Sequence, residues 1–260
     1  MRLAWSVAFA MALVLLYLLA VRTVPGQTRD AESMSMFAWM GTGARSALGA
    51  VRYVLPTVTI LLTVAVAGWA LMLRRWREVG YCALLTLLVL GVTGPLRDLV
   101  FSRPYLGEFG YTQNSYPSRH VVLVFAFALV AVRLCPAGTA RRLAAWAAVA
   151  LTLLVAVASV ASYAHRLSDV VGAVLLVGVV APWLARAGEG GVRAHRLRLG
   201  AAVLWAAVIP VAWLSALLIS GPGLTALLCL GVLAPAVVAT DVVAHGPRPR
   251  RGRGQTKPPC

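Results

Sequence analysis

The sequence contains few charged side chains, and acidic ones are particularly scarce. Only 12% of its 260 residues are charged, and only 8 of them are Asp or Glu. Soluble domains average about 25% charged residues, so this composition excludes an ordinary soluble domain. The four cysteines (Cys82, Cys135, Cys229 and Cys260) show no metal-binding or redox spacing, which argues against a cysteine metal centre and a disulfide framework.

The residues that are abundant are apolar. Hydrophobic residues make up 60% of the chain, and the mean hydropathy is +0.83. Apolar runs near or above 18 residues recur, which predicts an all-α, polytopic transmembrane helix bundle. We expect about eight spans, over residues 3–21, 50–73, 79–96, 119–134, 143–164, 169–185, 199–219 and 224–243.

The segments around these spans predict the domain organisation. The first run is also compatible with a cleaved signal peptide, although no A-x-A site follows it. After it, Pro25-Gly26 predicts a turn, and residues 30–39 predict a short interfacial helix. We expect a six-span core with its outer loop over 1–185, two additional transmembrane helices over 186–245, and a disordered basic tail over 246–260.

The positive charge indicates membrane topology rather than nucleic-acid binding. A net charge of +16 is typical of proteins that bind nucleic acid. Here, however, the basic residues fall in short loops and in the tail. If the N-terminus is cytoplasmic, sixteen of the 24 Lys and Arg residues lie on the inner side. The positive-inside rule therefore predicts a plasma-membrane protein with both termini in the cytoplasm.

Two polar islands interrupt the apolar runs. The first is residues 97–120, RDLVFSRPYLGEFGYTQNSYPSRH, and the second is residues 165–169, HRLSD. The predicted topology puts both islands on the outer side of the membrane. Ionisable groups at a membrane boundary are costly and usually functional, so we expect the active site there.

The first island carries groups that suit a phosphate. The guanidinium forks of Arg97 and Arg103 match phosphate oxygens. Ser118 and the backbone N–H groups that begin the next helix add donors at the positive end of a helix dipole.

Histidines from both islands add acid–base chemistry. His165 and Asp169 are four residues apart, so they share a face if that segment is helical, and the carboxylate would orient the imidazole. His120 can exchange a proton with a leaving group. Ser168-Asp169 also fits a helix N-cap. No cluster of carboxylates and histidines has metal spacing, so we expect phosphoryl transfer without a metal or other cofactor.

Three motifs in this order resemble the signature blocks of the type 2 phosphatidic acid phosphatase superfamily. They are Arg-x5-Arg-Pro at 97–104, Pro-Ser-x-His at 117–120 and His-x3-Asp at 165–169. The resemblance covers roughly residues 50–185. It implies that His165 is a nucleophile that forms a phosphohistidine, that Asp169 supports it, and that His120 is the general acid and then the base for water. It also implies that Arg97, Arg103, Ser118 and the backbone of Arg119 bind phosphate.

The sequence departs from the family pattern in three places. The family separates a lysine from Arg-Pro by six residues, whereas five residues separate Arg97 from Arg103. Arg119 replaces the usual glycine, and Ser159 stands where the third block usually has arginine. Either the side chain of Arg119 reaches the phosphate and compensates for that loss, or it points to lipid headgroups and the site is weakened.

An active site at the outer interface predicts an amphiphilic substrate. Candidates are phosphatidic acid, phosphatidylglycerol phosphate and isoprenoid diphosphates such as undecaprenyl diphosphate. The departures also fit a catalytically impaired relative that binds lipid phosphates. A transporter is disfavoured because the spans are almost free of charge, and a soluble vanadate haloperoxidase-like enzyme is disfavoured because the chain has spans. The oligomeric state stays open.

Overall fold

The structure is a computed structural model that describes residues 2–109, 113–185 and 222–244. The described residues form eight helices and no strand, so the predicted all-α class is confirmed. The helices are α1 (Arg2–Leu16), α2 (Val24–Ser35), α3 (Thr42–Met72), α4 (Trp76–Pro95), α5 (Arg119–Leu134), α6 (Thr139–Ala161), α7 (Leu167–Leu184) and α8 (Pro222–Ala244).

Five of the described helices are long and apolar enough to cross a membrane. Two of them continue through a π-helical turn, α1 over Tyr17–Val21 and α4 over Leu96–Val100. The five spans are Arg2–Val21, Thr42–Met72, Trp76–Val100, Thr139–Ala161 and Leu167–Leu184. A multi-pass membrane protein fits this architecture. The predicted span 199–219 and tail 246–260 lie outside the described residues, so the predicted domain boundaries stay predictions.

The segment after α1 differs from the prediction. Pro25-Gly26 was expected to form a turn before a helix over residues 30–39, but α2 already begins at Val24. The Oγ1 atom of Thr23 caps this helix by accepting the N–H of Gly26 at 3.1 Å. Proline fits the first turn of a helix because the N–H it lacks has no partner there. Likewise α3 begins at Thr42, eight residues before the predicted boundary at 50.

The bundle is organised around α7. This helix packs against α1, α5 and α8, and most of its residues are buried. The backbones of α1 and α7 come close, since a Cβ atom at Gly178 would lie 2.3 Å from the ring of Phe9. In contrast, α3 and α4 expose large apolar side chains such as Leu61 and Leu87. An exposed apolar surface of this kind is expected where lipid covers the protein.

The segments 97–109, 113–120 and 165–169 meet at one end of the bundle, the polar end, where Arg103, Ser115 and Ser118 all contact Asp169. At this end, aromatic side chains hold the loop between α4 and α5 against the helix α1. Tyr116 is fully buried, with its ring centroid 5.3 Å from that of Phe101 and 5.8 Å from that of Tyr17. The hydroxyl of Tyr116 donates to the carbonyl of Leu13 at 2.9 Å. The loop is therefore part of the core.

The close approach of this loop to α7 predicts a strong effect of one methyl group. A Cβ atom at Gly172 would lie 2.4 Å from the ring of Tyr116. We expect Gly172→Ala to cost about 1–3 kcal/mol through overpacking, measured as a lower Tm in detergent. Gly68→Ala is the control, because a Cβ atom there meets nothing within 4 Å. An unchanged Tm for Gly172→Ala would contradict this packing.

Candidate active site

The carboxylate of Asp169 is the centre of the polar end. It is fully buried in the first turn of α7. It accepts hydrogen bonds from the hydroxyl of Ser115, from the N–H of Arg166 at 3.0 Å and from Nη2 of Arg103 at 3.4 Å. Its Oδ2 atom also lies 3.5 Å from Nδ1 of His165. Asp169 therefore joins the second polar island to the first.

His165 lies in the turn between α6 and α7, not on a helix. Its N–H donates to the carbonyl of Ser159 at 3.1 Å, and Tyr163 in the same turn has a left-handed φ of 56°. The condition for a shared helical face is thus not met at His165, and the turn itself brings His165 and Asp169 together. Because Nδ1 faces Asp169, Nε2 is the ring nitrogen left for chemistry.

His120 lies in the first turn of α5, opposite His165. The two imidazole centroids are 6.2 Å apart, with the rings inclined by 65°. Ser118, the N-cap residue of α5, donates its N–H to the carbonyl of Asp169 at 2.9 Å. This bond fixes the start of α5 against the start of α7, so the two histidines are held by a rigid backbone contact.

Ser118 and His120 each have a polar atom with no hydrogen-bond partner in the part of the chain that the structure describes. These atoms are the hydroxyl of Ser118 and Nδ1 of His120, and both are buried. An unsatisfied buried donor or acceptor costs about 1–3 kcal/mol. Backbone N–H groups at the start of a helix attract anions. The start of α5 is therefore suited to an anionic ligand.

The three predicted arginines occupy two different environments. Arg103 is buried, with Nη2 3.1 Å from Oδ2 of Asp30 and 3.4 Å from Oδ1 of Asp169. Arg97 and Arg119 both lie beside Asp98, at 3.0 and 3.9 Å respectively. The side chain of Arg119 is 53% exposed. The structure thus joins Arg103 to the buried centre and leaves Arg97 and Arg119 together at its rim.

Sequence reasoning missed the contribution of α2. Asp30 is fully buried and accepts the N–H and the hydroxyl of Ser168, at 2.9 and 2.6 Å. The hydroxyl of Ser33 accepts the N–H of Leu167 at 3.0 Å. These are the first N–H groups of α7, whose N-cap residue is Arg166 rather than the expected Ser168. Asp30 and Ser33 therefore cap a helix that lies far away in the sequence.

The scarcity of acidic residues was the one available signal for Asp30. A carboxylate in a chain with 8 Asp and Glu residues is conspicuous, but its partners could not be read from the sequence. Burial raises the pKa of the Asp30 carboxyl above its ordinary value, although the Arg103 guanidinium acts in the opposite direction. Among the described residues, no three His, Cys, Asp or Glu side chains are grouped so that they could hold a metal ion.

The caps from α2 give a stability prediction. Asp30→Ala removes the acceptors for Ser168 and should cost about 1–3 kcal/mol, seen as a lower Tm. Asp30→Asn keeps one acceptor and should lose less. Because the pKa of Asp30 is raised in the folded state, its protonation favours folding. The wild type should therefore gain stability relative to Asp30→Asn as the pH falls from 7 towards 4. Equal Tm values for the wild type and Asp30→Ala would contradict the capping.

Fold and site together define a multi-pass membrane protein with a pair of histidines backed by a buried carboxylate. Residues 78–190 match the family model of the PAP2 superfamily. The match confirms the resemblance carried by the three motifs. Members of the superfamily are phosphatases, so the match supports a hydrolase. No curated protein and no solved structure matches the chain.

Proposed function

We propose that the protein is a membrane-integral lipid phosphatase that acts through a phosphohistidine at the outer membrane face. The observation that carries the proposal is the pairing of His120 with His165, 6.2 Å apart, with Asp169 behind His165. A nucleophile, a proton donor and an orienting carboxylate are the groups required for covalent transfer of a phosphoryl group.

In the first step, Nε2 of His165 attacks the phosphorus atom of the lipid phosphate. A nitrogen–phosphorus bond forms while the bond from phosphorus to the lipid oxygen breaks. His120 gives its proton to that oxygen, so the lipid leaves as an alcohol, or as a monophosphate if the substrate is a diphosphate. Asp169 stabilises the positive charge that develops on His165, as the carboxylate of a catalytic triad does.

In the second step, water releases the phosphate. His120, now neutral, takes a proton from a water molecule that attacks the phosphohistidine. The nitrogen–phosphorus bond breaks, inorganic phosphate leaves, and both histidines return to their starting states. The same residue thus serves first as an acid and then as a base.

The phosphate would be bound by groups at the start of α5 and by arginines. The hydroxyl of Ser118 and the first N–H groups of α5, including that of Arg119, are suitable donors. Arg103 reaches the site through its contact with Asp169, and Arg97 borders it. The side chain of Arg119 would have to leave Asp98 to join them.

The substrate is expected to be amphiphilic. An apolar cleft between α3, α4 and α5, lined by residues such as Val64, Leu87 and Val130, opens beside the bundle. A lipid could keep its tail in such an apolar cleft or in the bilayer while its phosphate reaches the polar end. Phosphatidic acid, phosphatidylglycerol phosphate and isoprenoid diphosphates all satisfy this condition.

A catalytically impaired protein that binds lipid phosphates is the second candidate. The specific observation in its favour is that every predicted arginine already has a carboxylate partner. Arg103 pairs with Asp30 and Asp169, and Arg97 and Arg119 lie beside Asp98. A site whose arginines are already paired with carboxylates would bind a lipid phosphate more weakly, or hydrolyse it more slowly, than a site with unpaired arginines.

Phosphate release from a panel of lipid phosphates separates these two candidates. His165→Ala should lower kcat at least about 10³-fold because it removes the nucleophile. His120→Ala should lower it about 10²–10⁴-fold. His245→Ala, outside both polar islands, is the control. Activity should persist in excess chelator and be inhibited by vanadate. Wild-type turnover by His165→Ala would exclude the phosphohistidine route, whereas binding without turnover by the wild type would favour the impaired protein.

Cysteine labelling tests the outer-face site. In a variant without the four native cysteines, Gln113→Cys lies in the loop of the polar end and Ala137→Cys lies between α5 and α6 at the other end. We expect a membrane-impermeant maleimide to label position 113 in intact cells and position 137 only after permeabilisation. The reverse pattern would place the site on the cytoplasmic face.

A further inference from the structure

Two arginines at the start of α3 have no function in the proposed mechanism. Arg45 and Arg52 are seven residues apart, so they lie two turns apart on one face of the helix. Gly49 lies between them on this face, and a Cβ atom there would be 3.7 Å from Cβ of Ser162. This face of α3 therefore packs against the turn that carries His165.

Each of the two guanidinium groups lies over an aromatic ring, and the ring under Arg52 contacts His120. The guanidinium of Arg52 lies 4.3 Å from the ring centroid of Tyr53, and that ring meets His120 edge-on at 5.2 Å. The guanidinium of Arg45 lies 5.1 Å from the ring centroid of Tyr163, two residues before His165. Cation–π contacts of this kind hold the two guanidinium groups in place.

These two cations differ from the three arginines of the first two motifs. Neither Arg45 nor Arg52 has an ion-pair partner among the described residues, and the Nε atom of each is buried without a hydrogen-bond acceptor. Arg97, Arg103 and Arg119 each have an aspartate nearby. A buried guanidinium nitrogen without an acceptor is costly. An anionic ligand at the outer nitrogens of each guanidinium would supply the counter-charge that neither arginine has among the described residues.

The position of α3 also bears on the arginine that the third motif lacks. Ser159 is buried and donates its hydroxyl to the carbonyl of Val155 at 2.7 Å, so α6 supplies no cation here. Arg52 lies on α3, outside the region 78–190 that matches the family model, over the ring of Tyr53 that meets His120. Arg45 lies about 10 Å further along the helix axis. The cations thus extend away from the histidine pair.

We propose that Arg52 and Arg45 bind a second phosphate group of the substrate and determine specificity. This inference rests on the proposed function. In the proposed function the transferred phosphate is bound by Ser118, the start of α5, Arg103 and Arg97, which leaves the two α3 arginines for a neighbouring anionic group. The substrate class is therefore a lipid that carries two phosphates, such as a diphosphate, in preference to a lipid monophosphate.

The ratio of kcat/KM for two matched substrates tests this specificity. Farnesyl diphosphate and farnesyl phosphate differ by one phosphate group, and the purified full chain in detergent is given each in turn. The wild type should prefer the diphosphate, and Arg52→Gln should lower the ratio about 10-fold, since it removes charge-assisted hydrogen bonds to the second phosphate. Arg45→Gln should lower it less. Arg52→Lys keeps the charge without the planar fork and should fall between.

Arg22→Gln is the matched control, because Arg22 is an exposed arginine that directly follows the π-helical turn at the end of α1. It should leave the ratio unchanged. A wild-type ratio near one, or a ratio that both α3 variants leave unchanged, would overturn the inference. Size-exclusion profiles and Tm values establish that each variant is folded.

A binding measurement makes this test independent of turnover. Inorganic pyrophosphate should raise the Tm of the wild type and of His165→Ala more than inorganic phosphate does, and Arg52→Gln should abolish the difference. If no lipid is hydrolysed but pyrophosphate binding still depends on Arg52, the proposed phosphatase fails while the second-phosphate site stands. Equal stabilisation of the wild type by both anions would refute that site even in an active phosphatase.

Discussion

The arrangement of the polar end depends on one buried carboxylate. Asp169 has no contact with solvent, and it is surrounded by the donors Ser115, Arg103 and the N–H of Arg166, with His165 at 3.5 Å. A buried carboxylate is stable only if such partners satisfy it. These partners come from the α4–α5 loop and from the turn before α7. The need to satisfy Asp169 therefore brings together the two segments that carry the histidines.

Parts of the chain beyond the family match complete this site. The segment 78–190 holds the three motifs, but Asp30 and Ser33 on α2 cap the helix that carries Asp169. Tyr17, at the end of α1, packs on Tyr116 and supports the loop of the first island. The motif residues thus lie in the matched segment, whereas residues that hold them in place come from the N-terminal helices of this chain.

The sequence was sufficient for the fold class and for most spans, because apolar runs and their charged ends are local signals. Residues 119–134 were predicted as they are found, since the apolar run 121–132 lies between Arg119-His120 and Arg133. The function of α2 could not be predicted. Its composition is that of a surface helix, and the burial of Asp30 depends on partners more than 130 residues away. The pairing of Arg103 with Asp30 was missed for the same reason.

The caps on α7 also impose an order on assembly. Chains fold largely from the N-terminus as they are synthesised, so α1 and α2 exist long before Leu167 is added. The acceptors on Asp30 and Ser33 are then present when the first N–H groups of α7 emerge, 138 and 134 residues later. The polar end therefore cannot close before the start of α7 has been synthesised. Until then α1 to α6 exist without the carboxylate of Asp169 and without the pairing of His120 with His165.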